Sequence, residues 1–95
     1  MPCRTCADFQ TPRPIRLPAD LTAAILCLQQ AVAEQRLTIL PAYSDTITTA
    51  AFSTVKAEGP WDDIVINRFQ CTACGQRYEL SAETYHGGGG SLEPF

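Results

Sequence analysis

The sequence predicts a small α+β domain: one main helix packed on an antiparallel sheet of three or four strands, with a split four-cysteine site joining the N-terminus to the last hairpin. Three observations predict it. Residues 19–36 repeat apolar side chains with a helical period. Residues 62–70 alternate with the period of a strand. Two Cys-x-x-Cys pairs, Cys3/Cys6 and Cys71/Cys74, stand near opposite ends of the 95-residue chain. Two such pairs complete a tetrahedron of four sulfurs, a donor set that suits zinc and, next, iron. A shared ion would force the first ten residues against the last third of the chain.

A chain of 95 residues makes one domain, 1–95. It buries only about two thirds of its unfolded surface, so a metal clip is a useful addition to its core. The hydrophobic share of 45% and charged share of 18% are those of an ordered protein. No stretch approaches the roughly 20 apolar residues of a membrane span. Met1-Pro2-Cys3-Arg4 lacks the basic-then-apolar run of a signal peptide. The expected location is a reducing cytoplasm, where thiols are available to metal.

Taken in order, residues 1–8 form the first cysteine knuckle. Pro12, Pro14 and Pro18 then forbid helix through most of the connector, which reads as extended. The helix follows. Asp20 sits at its start, where an acid meets the positive end of the helix dipole. Leu21, Ile25, Leu28 and Val32 make one apolar stripe, widened by Ala24 and Ala31. Leu26 and Cys27 fall on its flanks. They are expected to pack against a second layer of the domain, Cys27 as a small core residue and Leu26 alternatively in an interface. Residues 37–43 read as a short strand that Pro41 ends or places at an edge. Residues 46–57 are β-branched and read as strand, with helix as the alternative. Glu58-Gly59-Pro60-Trp61 is a turn, and Trp61 is expected to cover one end of the sheet near Leu21, Ile25 and Leu28.

The best strand, 62–70, sends Ile64, Ile66 and Arg68 one way and Val65, Asn67 and Phe69 the other. The second knuckle turns it back into Arg77-Tyr78-Glu79-Leu80-Ser81, an antiparallel hairpin with the metal at its tip. The metal knuckles thus cover 1–8 and 66–82, with 19–57 as a helix-and-strand insertion. Residues 87–95 begin with four glycines and read as a flexible tail, since glycine is costly to order. The same run also resembles a laboratory linker.

The cysteine pattern carries the chemistry. Gly75, directly after Cys74, permits the positive φ that aims backbone N–H groups at the sulfurs and so steadies thiolate charge. The pairs are 64 residues apart, against the 15–20 of a compact ribbon, so the site is split. Two disulfides would leave a fifth cysteine over and need an oxidising compartment. A redox Cys-x-x-Cys would need a thioredoxin-like βαβ context, which the pattern lacks.

Cys71-Thr72-Ala73-Cys74-Gly75 with an aromatic at Tyr78 resembles the rubredoxin-type knuckle of zinc-ribbon proteins. The resemblance covers 1–8 and 66–82 and implies the metal site without fixing a function, because ribbons serve in transcription, translation, enzymes and protein adaptors. The first knuckle departs from the pattern, with Ala7 where glycine is usual. Phe69 to Gly90 also resembles small bacterial proteins, some of which look like toxin-immunity partners.

Four cysteines close the ion, whereas a catalytic zinc keeps a position open. His86 is the only histidine, and no second group supports it as a base. It reads as a surface or turn residue, with general base, replacement ligand or exposed contact as alternatives. Net charge is −3, and residues 58–95 carry six acids against Arg68 and Arg77. A nucleic-acid binder needs a basic footprint, and this chain has only a small cluster at Arg4, Arg13 and Arg16. An acidic protein partners more readily with a basic surface. The expected function is therefore a non-catalytic, zinc-binding protein-interaction module, of the immunity or antitoxin kind, that masks a basic toxin. Candidate contacts are Asp62, Asp63, Glu79, Glu83 and His86. The alternatives are a zinc-ribbon nucleic-acid accessory protein and a metal-dependent or redox enzyme.

Overall fold

The computed structural model describes residues 3–40, 52, 55–61, 64–84 and 88–95. One main helix, α1 (Pro18–Ala33), packs on a five-stranded antiparallel sheet. The strands are β1 (Arg13–Ile15), β2 (Leu37–Ile39), β3 (Ile64–Cys71), β4 (Arg77–Glu83) and β5 (Gly89–Pro94), in the order β1-β5-β4-β3-β2. The sheet is wider than the three or four strands expected, and the reason lies at its far edge.

Helix α1 starts at Pro18, whose missing N–H costs nothing in the first turn. Asp20 is a first-turn acid: its carboxylate accepts from the backbone N–H groups of Arg16 at 3.0 Å and Leu17 at 2.9 Å. Those two bonds hold its pKa below the usual carboxylate value. The helix ends where Gln35 takes a φ of 62°, so that Arg36 N–H returns to the Ala31 carbonyl at 2.9 Å. Its buried face is Leu21, Ala24, Ile25, Leu28 and Ala31, with Val32 half-buried at the margin. Among the described residues, no second layer covers Leu26 or Cys27. Leu26 is 53% exposed and Cys27 is exposed, because the single sheet takes only one stripe of the helix.

The sheet buries the alternate positions that the period of two assigns to the helix side. Val65, Asn67, Phe69 and Cys71 of β3 point inward with Tyr78, Leu80 and Ala82 of β4. Leu80 pairs in register with both Asn67 and Leu92, and Phe69 with Tyr78. Phe52 stands edge-on to Phe69, with ring centroids 4.8 Å apart. The strand expected over 37–43 is present as Leu37–Ile39, and 41–43 lie outside the described residues. Most of the strand expected over 46–57 also lies outside them.

Residues 89–94 are a strand, not the loose tail expected. From Gly89 the chain enters the sheet between β4 and β1, pairing Gly90 with Ala82 on one side and Ile15 on the other. A Cβ on Gly90 would collide with the Ser81 carbonyl, and Gly89 holds a φ of 75°. Glycine is present because backbones approach closely here, which is one of its uses in a strand. The proline-rich connector then serves as the outer partner. Pro14 is tolerated in β1 because β1 is an edge strand.

Trp61 is half-buried. It lines a cleft of about 130 Å³ with Leu21, Ile15 and Ala82, and its Nε1 donates to the Lys56 carbonyl at 2.8 Å. Of the three helix residues expected beside it, Leu21 lines the same cleft, and one side of the ring stays wet. Trp61→Ala is therefore expected to cost about 1–2 kcal/mol, below the 3–5 kcal/mol of a fully buried aromatic. Denaturant unfolding of the two proteins checks this.

Candidate metal centre

The first knuckle is a 3-10 turn over Arg4–Phe9, interrupted at Cys6, whose φ of −120° departs from helix. That break turns the Cys6 side chain inward, where it is fully buried. The second knuckle forms where β3 ends. Gly75 has a φ of 80°, as its position after Cys74 predicts, and its N–H closes the turn onto the Cys71 carbonyl at 3.1 Å. The turn is tied to the helix end by Thr72, whose hydroxyl donates to the Gln35 carbonyl at 2.7 Å.

These two turns bring Cys3, Cys6, Cys71 and Cys74 together, with all four sulfurs within 4.8 Å of one another. Cys3 and Cys71 Sγ are 4.0 Å apart, and Cys6 and Cys74 Sγ 3.6 Å. The edge of a tetrahedron with metal–sulfur bonds of about 2.3 Å is about 3.8 Å. The cluster therefore has the dimensions of a four-thiolate metal site. Cys27 is exposed on the flank of the helix, where its sulfur accepts from the Arg13 guanidinium at 3.4 Å, and it is not one of the four clustered cysteines.

The surroundings favour negative sulfur. Cys71 Sγ accepts from the backbone N–H groups of Ala73 at 3.4 Å and Cys74 at 3.5 Å. Burial pushes the Cys71 thiol up, but those two bonds and the neighbouring sulfurs outweigh it and bring it down to about 7. Cys3 is lowered by the backbone N–H and hydroxyl of Thr5. Cys74 accepts from the Gln76 N–H, which pulls it down. Burial and the sulfurs of Cys6, Cys71 and Cys3 together push it up to about 11. A cluster that stabilises its first thiolate and resists its last needs a cation to ionise completely, and protons compete with that cation as pH falls.

A set of groups outside the ligands was not legible from cysteine spacing. Gln10 Nε2 donates to Cys6 Sγ at 3.4 Å and to the Tyr78 hydroxyl at 2.7 Å. Tyr78 is fully buried, and its hydroxyl lies 3.5 Å from the Cys6 carbonyl. Burial and the neighbouring Cys6 sulfur raise its pKa, so it stays a neutral phenol. The aromatic noted at position 78 is thus the floor of the site, packed against Phe9 at 5.8 Å. Gln10 fixes the Cys6 side chain as an outer partner fixes a metal ligand. Gln10→Leu is expected to weaken metal binding roughly tenfold or more while the fold persists. A competition titration against a chromophoric chelator measures it.

Of the other candidate residues, Glu79 lies on the sheet face away from the helix and receives Arg68 Nε at 2.8 Å. Phe95 stacks on the same guanidinium, 4.6 Å from its centre. Glu83 accepts from the Gly88 N–H at 3.1 Å. Asp62, Asp63 and His86 lie outside the described residues. No described helix is long and apolar enough to cross a membrane. Comparison of the chain with protein-family profiles, with curated proteins and with solved structures returned no match.

Proposed function

We propose that this chain is a non-catalytic protein-interaction module whose zinc is structural, and, within that class, an immunity or antitoxin-like protein that masks a basic toxin. The observation that carries the structural role is the four-sulfur cluster itself. Four cysteines from both ends of the chain meet within 4.8 Å, and two of them, Cys6 and Cys71, are buried. Four thiolates fill the coordination of a tetrahedral ion and leave no place for substrate or water. Zinc is the ion proposed because a non-catalytic module needs only a redox-inert, closed tetrahedral centre, which zinc supplies with four thiolates.

Recognition is supported by charge and by exposed surface. The sheet face away from the helix carries Glu79, with Ile64 and Phe95 exposed nearby on the same face. The acidic balance of 58–95 suits a basic partner. A nucleic-acid reading fits less well. Arg68 and Arg77 belong to the open face of the sheet, while Arg13 reaches Cys27 on the helix side, so they form no single footprint.

The test is recovery of the partner from the native cell with the tagged chain, followed by binding of that purified partner in rising salt. The expected partner is a basic protein whose association slows as salt screens the charges, and slows again when Glu79 and Glu83 are both reversed. Recovery of DNA or RNA in its place would favour the nucleic-acid reading. Zinc-dependent turnover of a small substrate, abolished by His86→Ala, would overturn both binding readings.

A further inference from the structure

We infer that Cys74 is an oxidation site paired with Cys6, so that a peroxide converts the metal staple into a Cys6–Cys74 disulfide joining the same two segments. This rests on the metal reading of the four-cysteine cluster. Among the four sulfurs, that of Cys74 belongs to an exposed residue, whereas Cys6 and Cys71 are buried and Cys3 is half-buried. An oxidant arriving from solvent meets Cys74 first. The Cys6 sulfur lies 3.6 Å from it, closer than the 4.0 Å between Cys3 and Cys71. Cys71 is less free to respond, because its sulfur is held by two backbone N–H groups of its own turn.

The chemistry balances with a hydroperoxide as oxidant. The Cys74 thiolate attacks one peroxide oxygen, the O–O bond breaks, and the sulfur becomes a sulfenic acid with release of water after protonation. The Cys6 thiolate then attacks that sulfur, forms the S–S bond and displaces hydroxide, which leaves as a second water. In total, two thiolates, one hydrogen peroxide and two protons give one disulfide and two waters. Cys3 and Cys71 alone would no longer complete a four-thiolate site, so a bound ion would be lost. Because Cys6 belongs to the first knuckle and Cys74 to the second, the N-terminus stays tied to the β3–β4 hairpin. The same fold then has one staple for a reducing compartment and another for an oxidising one.

The experiment uses the full chain with Cys27→Ser, which removes the exposed thiol outside the cluster. The zinc-loaded protein is treated with one equivalent of hydrogen peroxide while a colorimetric chelator records zinc release. It is then cut after arginine without reduction. Cleavage puts Cys3 in 1–4, Cys6 in 5–16 and both Cys71 and Cys74 in 69–77, and fragmentation of the linked peptides assigns the sulfurs. The expected result is release of the zinc with 5–16 joined to 69–77 through Cys74, and a protein that still unfolds cooperatively. An internal Cys71–Cys74 bond, a link through Cys3, or a sulfinic acid at Cys74 without a disulfide would each overturn the pairing while leaving the metal reading intact. Protein that takes up no zinc before treatment would sink the metal reading instead, and the peptide map would still decide the pairing.

Discussion

Replacing Cys71 with serine is expected to abolish tight metal binding and to leave a largely unfolded chain. The ligand set falls to three sulfurs, and a serine hydroxyl does not replace a thiolate near neutral pH. Structural zinc contributes about 10–16 kcal/mol of binding free energy in zinc-finger peptides, as large as the whole 5–15 kcal/mol by which a typical domain is stable. Cys71 also stands at the junction of β3 and the second knuckle, where its carbonyl and sulfur together accept three backbone N–H groups. Circular dichroism with and without added zinc measures the loss. A Cys71→Ser protein that keeps its melting temperature would mean that the core folds without the ion.

The second large effect is expected at Gly90, far from the metal. Gly90→Ala places a methyl group against the Ser81 carbonyl and the Ala82 Cα, both of them backbone atoms of β4 that cannot rotate away. Strand β5 must then leave β4 or drag it, and β1, which among the described strands pairs only with β5, goes with it. Ile15 and Leu92 are both buried in the core and would be exposed by that change. Losing the burial of two such side chains costs about 3–6 kcal/mol. Chemical denaturation is the check, and hydrogen exchange should place the damage in 13–15 and 89–94. A loss below about 1 kcal/mol would contradict this account of the last strand.

Gly90 also marks the limit of what was legible in the sequence. The helix could be read because Leu21, Ile25 and Leu28 recur with its period. The hairpin of β3 and β4 could be read because Val65, Asn67 and Phe69 alternate and the cysteines mark its turn. The last strand has neither signal. Only Leu92 of β5 is buried, and the glycines that read as a tail owe their presence to a contact with β4, which no local pattern encodes. The same holds for β1, three residues long and paired through that strand.

At the site, the ligands were legible because Cys-x-x-Cys and a following glycine are local signals. Gln10 and Tyr78 are 68 residues apart, and their bond exists only once the chain has folded. The outward turn of Leu26 and Cys27 depends on the sheet covering one stripe of the helix, and that too is a tertiary fact.

The joining of the two chain ends and the proposed structural role both turn on the four sulfurs acting as one metal site. The most direct measurement is elemental analysis of purified protein, followed by thermal unfolding before and after a strong chelator. The expected result is about one zinc per chain, a cooperative transition that collapses on chelation, and its return when zinc is restored. Protein purified under reducing conditions that contains no metal, with free cysteines and a melting curve indifferent to chelator and zinc, would contradict it.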